Sequence, residues 1–418
     1  MDRRKFLGML GASGALAAVA ACTSDHPGTK AAVVTGSDGS LPDPGGARTS
    51  IGPRVEIPTT SPPPQTVAKT VIPATISGTN RPPQLIMISF DGSGSTDLMR
   101  YWRNVGHETG ARFSFFLSGV YFLTKANSKL YRAPGHDAGA SAIGFFQPGS
   151  TNKIDRDSKT DMYDMLVEWK AAHEEGHEIG THYNGHFCDG YKQAPVNTWT
   201  SDGWRSEIAQ FGDLLHNVVA NNGLKPIDLG FSMSDIKGGR TPCLEGKLDS
   251  ALYPVLEELG MRYDSSRDAA EGVWPKKYGK IWSLPLHNIE VVGHNTRNLS
   301  MDYNFYYTQS FSKAEQKMMP TKDPAVADEF RQQTYDSYMK YFHNAYNGSR
   351  NPMIIGHHFA RWNMGAYVDA ITQVIRDVSK MPEVHFVTKT TVVDYLESLT
   401  PDQLKAFRNQ KFSPVPKV

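Results

Sequence analysis

The chain has 418 residues, which is enough for one large domain with extensions or for two modest domains. Its composition is ordinary for a globular protein, with 39% hydrophobic and 21% charged residues. Because the formal net charge is only +1, the chain lacks the basic field that would hold a nucleic acid, and we expect no nucleic-acid partner.

The N-terminus has the pattern of an export signal. Arg3 and Arg4 precede a run of apolar and small residues over positions 8–21, which is typical of a twin-arginine signal peptide. The run ends in Val19-Ala20-Ala21-Cys22, which resembles the lipobox of bacterial lipoproteins. We therefore expect residues 1–21 to be a signal peptide and Cys22 to carry a lipid anchor, on the outer face of the cytoplasmic membrane or in the periplasm. The alternatives are a plain signal peptide with an incidental cysteine and a short membrane anchor.

Residues 22–82 are expected to form a flexible tether. They are rich in Pro, Gly, Ser and Thr, include Ser61-Pro62-Pro63-Pro64, and lack amphipathic periodicity. A coil of this length spans roughly 40 Å, which would let an anchored domain reach into its surroundings.

From residue 84 onward, strand-like and helix-like segments alternate. We predict strands at residues 85–90, 177–181, 261–263, 281–284, 353–355 and 384–387. We predict helices at residues 161–175, 204–220, 248–259 and 367–378, and one within 325–346. Repeated β-then-α units predict an α/β fold, a single-domain distorted parallel (β/α) barrel of seven or eight strands over residues 83–405, with 406–418 as a tail.

Two histidines offer a metal site. His182 and His186 are four residues apart, so that a helical turn after the preceding strand would place both imidazoles on one face. Tyr183 stands where a zinc protease would have its glutamate, which excludes that motif. Asp91, at the end of the first strand, is a candidate third ligand or base, or else an ordinary turn residue. His357, after a later strand, is a candidate acid or a buried core histidine.

The motifs around these residues resemble, in order, those of the polysaccharide deacetylases of the NodB-homology type, carbohydrate esterase family four. The resemblance covers about residues 84–399. The matching segments are Ser89-Phe90-Asp91-Gly92, Gly176-His177-Glu178-Ile179-Gly180-Thr181-His182, Arg240-Thr241-Pro242-Cys243, Tyr263-Asp264-Ser265-Ser266, Ile355-Gly356-His357 and Phe386-Val387-Thr388.

The resemblance implies roles for individual residues. His182 and His186 would bind a divalent metal ion, with zinc as the expected ion. Asp91 would be the general base, and Arg240 would hold it ionised and oriented. The backbone around Cys243 would help to stabilise the oxyanion.

The same resemblance implies an acid on the other side of the site. His357 would protonate the departing amine, and Asp302 is a loose match to the aspartate that tunes this histidine. A surface-loop aspartate is the alternative for Asp302. His358 stands at a position that the family fills with aspartate, so its role is open, and Trp362 is either a substrate platform or a packing residue.

Gly92 departs from the family pattern, because a second aspartate normally stands there as the third metal ligand. Asp91 could itself coordinate the ion, or Asp97 could reach in. Alternatively, the metal is weak or absent and the domain is a non-catalytic binder.

The stretch between Gly92 and His177 is long and aromatic, and it includes Phe113-Ser114-Phe115-Phe116-Leu117, Tyr131 and Phe145-Phe146. It could line a sugar-binding groove or add to the barrel core. Cys188 and Cys243 form an even pair in an oxidising compartment, so either a disulfide or two buried thiols is expected.

The sequence therefore predicts a metal-dependent hydrolase that removes N-acetyl groups from an amino-sugar polysaccharide of the cell envelope or its surroundings. The alternatives are an inactive glycan-binding lipoprotein of the same fold and an O-acetyl polysaccharide esterase.

Overall fold

The computed structural model describes residues 51–58, 60–65, 71–145, 158–191 and 193–414. The predicted signal peptide, Cys22, Phe146 and the last four residues lie outside the described residues. Among the described helices, none is both long and apolar enough to cross a membrane.

The described residues contain fourteen β-strands, most of them short. In chain order they are β1 (Gln84–Gly92), β2 (Ser114–Leu117), β3 (Glu178–Thr181), β4 (Gly238–Gly239), β5 (Tyr263–Asp264), β6 (Asp268–Ala270), β7 (Lys276–Tyr278), β8 (Ile281–Ser283), β9 (Leu286–Val291), β10 (Thr296–Leu299), β11 (Phe311–Ser312), β12 (Lys317–Met318), β13 (Met353–His358) and β14 (Val384–Phe386).

Ten α-helices occur in the same residues, and short 3₁₀ or π turns connect several of them. The helices are α1 (Thr96–Thr109), α2 (Ser158–Glu174), α3 (Ser201–His216), α4 (Val218–Asn222), α5 (Tyr253–Glu258), α6 (Asp302–Ser310), α7 (Pro324–Asn344), α8 (Trp362–Val378), α9 (Lys389–Ser398) and α10 (Pro401–Arg408).

The main sheet has the order β13-β1-β2-β3-β4-β5-β8-β7, and β14 pairs with the first residues of β1. All of its pairings are parallel except that of β7 with β8. The sheet curls into an open barrel with helices on its outer side. The predicted α/β fold, a distorted barrel of seven or eight parallel strands, is therefore confirmed.

The stretch between β1 and β3 contains α1, β2 and α2. These elements make an ordinary β-α-β-α-β run of the barrel. Five of the aromatic side chains that the sequence singled out in this stretch are buried in the hydrophobic core. They are Phe113, Phe115, Phe116, Tyr131 and Phe145. They therefore support the barrel and do not line a groove.

Side chains of β1 and β13 alternate between the barrel interior and the helix-facing layer. Met87 and Ile354 pack inside the barrel, whereas Ile88 and Ile355 pack in the larger cluster with the helices. The register places Asp91 beside His358 and Phe90 beside His357. Asp91 and His358 therefore continue the interior-facing rows at the carboxyl ends of their strands.

A second contact closes part of the barrel wall next to β13. The segment after β10 forms a parallel bridge between Met301 and Gly356, and the Gly356 amide donates to the Ser300 carbonyl at 2.9 Å. This bridge brings the start of α6, and with it Asp302, to the end of β13.

Part of the predicted tether lies against the barrel. Arg54 pairs with Asp328 of α7 at 3.0 Å, and the Val55 amide donates to Asp369 of α8 at 3.4 Å. Farther along, the Tyr395 hydroxyl of α9 donates to the Ala74 carbonyl at 3.0 Å. Scattered apolar residues such as Ile51, Val55 and Ile57 anchor this segment without any periodic pattern, which is why composition alone suggested a coil.

Candidate functional site

A cleft opens at the carboxyl ends of the parallel strands, where barrel proteins assemble their chemistry. Four candidate site residues, Asp91, His182, His186 and His358, line it together with apolar and polar neighbours. Its lining residues are Asp91, His182, His186, Thr241, Cys243, Leu244, Met301, Tyr303, Asn304 and His358.

Asp91 and Arg240 form a buried ion pair at the base of the cleft. The Arg240 guanidinium is 0% exposed and donates through Nη1 to Asp91 Oδ1 at 2.8 Å. Its Nε and Nη2 donate to the carbonyl and the hydroxyl of Ser265 at 2.9 and 3.0 Å. Gly356 leaves room for it, because a Cβ there would lie 3.1 Å from Arg240 Nη1. The guanidinium is therefore fixed in one orientation, as the resemblance implies.

This ion pair keeps Asp91 ionised. Burial alone would raise the pKa of Asp91, but the positive charge of Arg240 and the nearby His182 and His358 outweigh burial and hold the pKa below its usual value of 3.8. A carboxylate that is ionised, oriented and open to a cleft can accept a proton from water.

His182 follows β3 and offers one ring nitrogen to the cleft. Its Nδ1 lies 2.8 Å from the carbonyl oxygen of Arg240, so Nδ1 carries the proton and Nε2 remains a lone-pair donor. Burial lowers the pKa of His182 below its usual value of 6.5, which favours the neutral ring. A neutral imidazole with its second nitrogen anchored is the form that ligates metals.

His186 lies beside His182, with 5.1 Å between the ring centroids. The connecting residues form an irregular loop rather than a helical turn, with φ of +58° at Tyr183 and +59° at His186. Glu207 anchors this loop, since it accepts from the Asn184 amide at 3.0 Å. Burial lowers the pKa of His186 to about 3, so this ring is also neutral near pH 7.

A disulfide joins Cys188 to Cys243 and forms part of the cleft wall. It connects the loop after β3 to the turn at Pro242–Leu244, where Cys243 has φ +55°. The Cys188 sulfur lies 3.6 Å from Nδ1 of His186. The bridge therefore contacts one of the two imidazoles directly.

His358, rather than His357, faces Asp91 in the cleft. Its Nδ1 lies 2.7 Å from Asp302 Oδ1, and its backbone amide donates to Asp302 Oδ2 at 2.8 Å. Burial alone would lower the pKa of His358, but the Asp302 carboxylate outweighs burial and raises the pKa above 6.5. His358 therefore holds a proton more readily than the other cleft histidines do.

His357 lies on the opposite face of β13, in the helix-facing core. It is 0% exposed, its Nε2 is 3.1 Å from the Tyr338 hydroxyl, and its ring lies near that of Phe90. Burial lowers its pKa to about 4. The Asp302 carboxylate lies 2.7 Å from Nδ1 of His358 and 3.7 Å from Nδ1 of His357, so its hydrogen bond goes to the cleft histidine rather than to the histidine named from the sequence. Strand alternation in the sequence could have indicated this, because His358 follows the interior-facing Ile354 by four residues and therefore lies on the same face of β13.

Neither Gly92 nor Asp97 supplies a further carboxylate. Gly92 has φ +83°, and a Cβ there would face the ring of Tyr121 at 3.9 Å. Asp97 lies in the first turn of α1, pairs with Arg100 at 3.6 Å and does not line the cleft.

The cleft offers two imidazole ligands for a metal ion, and the third protein ligand is not fixed by the arrangement of its side chains. Among the described residues, the only group of three His, Cys, Asp or Glu side chains whose ligand atoms lie within 4.8 Å of one another is His186, Cys188 and Cys243. Two of these are bonded to each other as the disulfide. His182 and His186 would hold an ion, and since Arg240 binds only Oδ1 of Asp91, Oδ2 is the carboxylate oxygen that remains for a third ligand.

Aromatic side chains form one rim of the cleft. Trp362 stacks on Tyr306 with centroids 5.0 Å apart and lies 5.4 Å from the ring of His358. Tyr303, which lines the cleft, packs on the edge of Trp362 at 5.6 Å. Trp362 thus contacts His358 at the cleft and also packs against the helix-facing core.

The structure has the fold that the resemblance to polysaccharide deacetylases implies, with the matched motifs at the carboxyl ends of the parallel strands. No family model matches the sequence, and no curated protein matches it.

Several solved structures are similar in fold. A putative polysaccharide deacetylase from Mycobacterium smegmatis is 12% identical with a TM-score of 0.45, over 85% of this chain and 99% of that chain. The peptidoglycan deacetylase PdaC from Bacillus subtilis is 12% identical with a TM-score of 0.37, over 78% and 97% of the two chains. BA3943 from Bacillus anthracis, a CE4 family pseudoenzyme, is 10% identical with a TM-score of 0.35, over 75% and 66%. Since all three TM-scores are below 0.5, the function proposed below depends on the residues and distances of the cleft.

Proposed function

We propose that this protein is a hydrolase that removes acetyl groups from a polysaccharide. The observation that carries the proposal is the pairing of Asp91 with Arg240 and of His358 with Asp302 in one cleft. The first pair holds an ionised carboxylate and the second favours a protonated imidazole, so that the cleft contains a base and an acid with pKa values pushed apart.

The two pairs suit hydrolysis of an acetyl group. Asp91 would accept a proton from the attacking water as its oxygen bonds to the acetyl carbon. His358 would donate a proton to the departing nitrogen as the carbon–nitrogen bond breaks, which releases acetate and a free amine. Arg240 would keep Asp91 in place, and Asp302 would keep His358 charged until the proton is transferred.

His182 and His186 would hold a divalent ion, with zinc as the expected ion. When bound, such an ion would polarise the acetyl carbonyl and make water a stronger acid. Arg240 occupies Oδ1 of Asp91, so Oδ2 is the oxygen that Asp91 would offer as a third ligand.

The proposed substrate is an N-acetylated amino-sugar polymer of the cell envelope or its surroundings. The motif order and the export pattern at the N-terminus support this choice. Tyr303 and Trp362 of the aromatic rim are half-buried, and their rings offer a surface on which the apolar face of a sugar ring can pack.

Acetate release from a panel of polymers tests the proposal. The panel contains N-acetylglucosamine oligomers, peptidoglycan and an O-acetylated polysaccharide, and acetate is measured enzymatically. We expect release from an N-acetylated polymer, with loss on chelation and in His182→Ala. Robust turnover by metal-stripped protein would remove the metal from the proposal, and failure to release acetate from every polymer would refute the hydrolase.

We also propose that the chain is exported and held at the membrane through a lipid on Cys22. The order of twin arginines, apolar run and cysteine supports this proposal. Labelling with a fatty acid should mark the wild-type chain and not Cys22→Ser, and the variant should appear in the soluble fraction. Equal labelling of both chains would contradict the anchor.

A further inference from the structure

We propose that His186, Cys188 and Cys243 form a second, thiolate-based metal site when the disulfide is reduced. One ligand atom from each residue lies within 4.8 Å of the other two, and all three side chains are buried. His186 already directs Nδ1 at the Cys188 sulfur from 3.6 Å. This set overlaps the pair of His182 and His186 in the hydrolytic cleft at His186 but takes its other two ligands from the cysteines.

The two loops that carry these residues have anchors other than the disulfide. In the loop after β3, the Asn184 side chain donates to the Glu207 carbonyl at 2.8 Å, and the Gly185 amide donates to the Tyr131 hydroxyl at 3.0 Å. In the turn after β4, the Thr241 amide donates to the Ser266 hydroxyl at 2.8 Å. Because none of these hydrogen bonds involves a cysteine, reduction would leave them in place and the two thiols would remain close together.

The chemistry requires a reductant and then a metal ion. A dithiol reductant supplies two electrons and two protons, which turns the disulfide into two thiols while the dithiol closes to its own disulfide. Binding of a divalent ion then releases the two thiol protons, because thiolates are the ligating form. Two sulfur ligands and one imidazole favour soft or borderline ions such as Zn²⁺ and Cd²⁺ over Mg²⁺ or Ca²⁺.

Occupation of this site would oppose the proposed hydrolysis, and only this consequence depends on the proposed function. Cys243 lines the same cleft as Asp91 and His182. An ion held by the two sulfurs would take His186 away from His182 and stand in the cleft wall. The oxidised chain would therefore be the active form, and reduction in the presence of zinc would slow acetate release.

A spectroscopic titration tests the site without using activity. The full chain carries Cys22→Ser, so that Cys188 and Cys243 are its only cysteines. The reduced chain is freed of reductant under anaerobic conditions and titrated with Co²⁺. Cd²⁺ is then added to displace the bound Co²⁺. We expect a sulfur-to-cobalt charge-transfer band that saturates at one equivalent. The oxidised chain should show no such band and should bind Cd²⁺ at least about 100-fold more weakly, since loss of outer-sphere partners alone costs 10- to 100-fold.

Three variants separate a built site from two incidental thiols. Cys188→Ser should lose the charge-transfer band under reducing conditions. His186→Ala keeps both thiols and should weaken Cd²⁺ binding by at least about 10-fold. His182→Ala, the matched control, should leave the titration of the reduced chain unchanged.

The inference is overturned if His186→Ala binds as tightly as the reference chain, because the imidazole would then not be a ligand. It is also overturned if reduction abolishes the near-ultraviolet circular dichroism of the chain, because no folded site would then exist. An oxidised chain that releases no acetate would refute the proposed function while leaving the titration result intact.

Discussion

Replacing His358 by Gln, with His357→Gln as the matched control, tests which of two adjacent histidines serves the cleft. The two residues lie on the same strand and differ in the face they occupy. His358 lines the cleft and contacts Asp302, whereas His357 packs against Phe90 and Tyr338 in the helix-facing core. His358→Gln should therefore mainly lower activity, whereas His357→Gln should mainly lower stability.

The expected magnitudes follow from these contacts. Loss of a positioned general acid lowers the rate about 10²- to 10⁴-fold, which corresponds to about 3–5 kcal/mol of barrier. His358→Gln should lose activity within this range with a modest fall in melting temperature, because the buried Asp302 loses a charged partner but keeps the backbone amide of residue 358 as a donor. His357→Gln should keep its rate within a few-fold. It should lose about 1–2 kcal/mol of stability, because its hydrogen bond to Tyr338 and its core packing are disturbed.

The assay is acetate release from the best polymer of the panel at saturating substrate, together with thermal unfolding of each variant. The assignment of His358 would be refuted if His357→Gln lost activity by more than 100-fold while its melting temperature stayed within a degree or two of wild type. It would also be refuted if His358→Gln retained full activity.

The remaining predictions concern pH, the ion pair and the disulfide. Asp302→Asn removes the charge that raises the pKa of His358, so the alkaline limb of the rate profile, expected above pH 6.5, should move to lower pH. An unmoved limb would assign it to another group. Arg240→Lys should lower kcat about 10- to 100-fold, because an ammonium cannot bind Asp91 and both Ser265 acceptors at once. The buried His287 has its pKa lowered to about 4, so stability present above pH 6.5 should fall as pH drops from 6.5 to 4, by up to about 3 kcal/mol; denaturant titrations of His287→Gln should show a shallower fall. Reduction of the disulfide, which closes a loop with a sequence separation of 55, should cost about 4 kcal/mol of unfolding free energy at neutral pH.

The barrel was predictable because its longer parallel strands are continuous apolar runs followed by polar residues. β1 and β13 have this pattern, and both were located from the sequence. β4 has only two residues, too few to show any periodicity, and the two-residue β5 overlaps the predicted strand at residues 261–263 only at Tyr263. The small sheet of β6, β9 and β10 was not predicted for another reason. β6 and β10 are largely exposed and carry polar residues, so they lack an apolar strand pattern.

The sequence named His357 as the candidate acid, whereas the neighbouring His358 lines the cleft. Adjacent strand residues point to opposite faces, so a shift of one position exchanges core for cleft. With His357 and His358 side by side, the order of motifs cannot choose between them. The pairing register of β13 with β1 identifies the cleft histidine, because it places His358 beside Asp91.

Contacts between distant segments were the least predictable part. Cys188 and Cys243 meet only because β3 and β4 are neighbours in the sheet, and the sequence left both a disulfide and free thiols open. The packing of residues 51–58 on α7 and α8 likewise depends on single side chains such as Arg54, which composition does not single out.

The position of Arg240 bears on how the chain works without a carboxylate at position 92. Asp91 was expected either to serve as the base or to replace the missing metal ligand. A guanidinium fixed by Ser265 and bound to Oδ1 at 2.8 Å leaves Asp91 one oxygen for either task. Because the charge of Arg240 stabilises the ionised carboxylate and withdraws electron density from it, Asp91 is a weaker metal ligand than an unpaired aspartate but remains an oriented proton acceptor. The ion pair therefore favours the base role, with the two imidazoles holding an ion more weakly than a complete three-ligand site would.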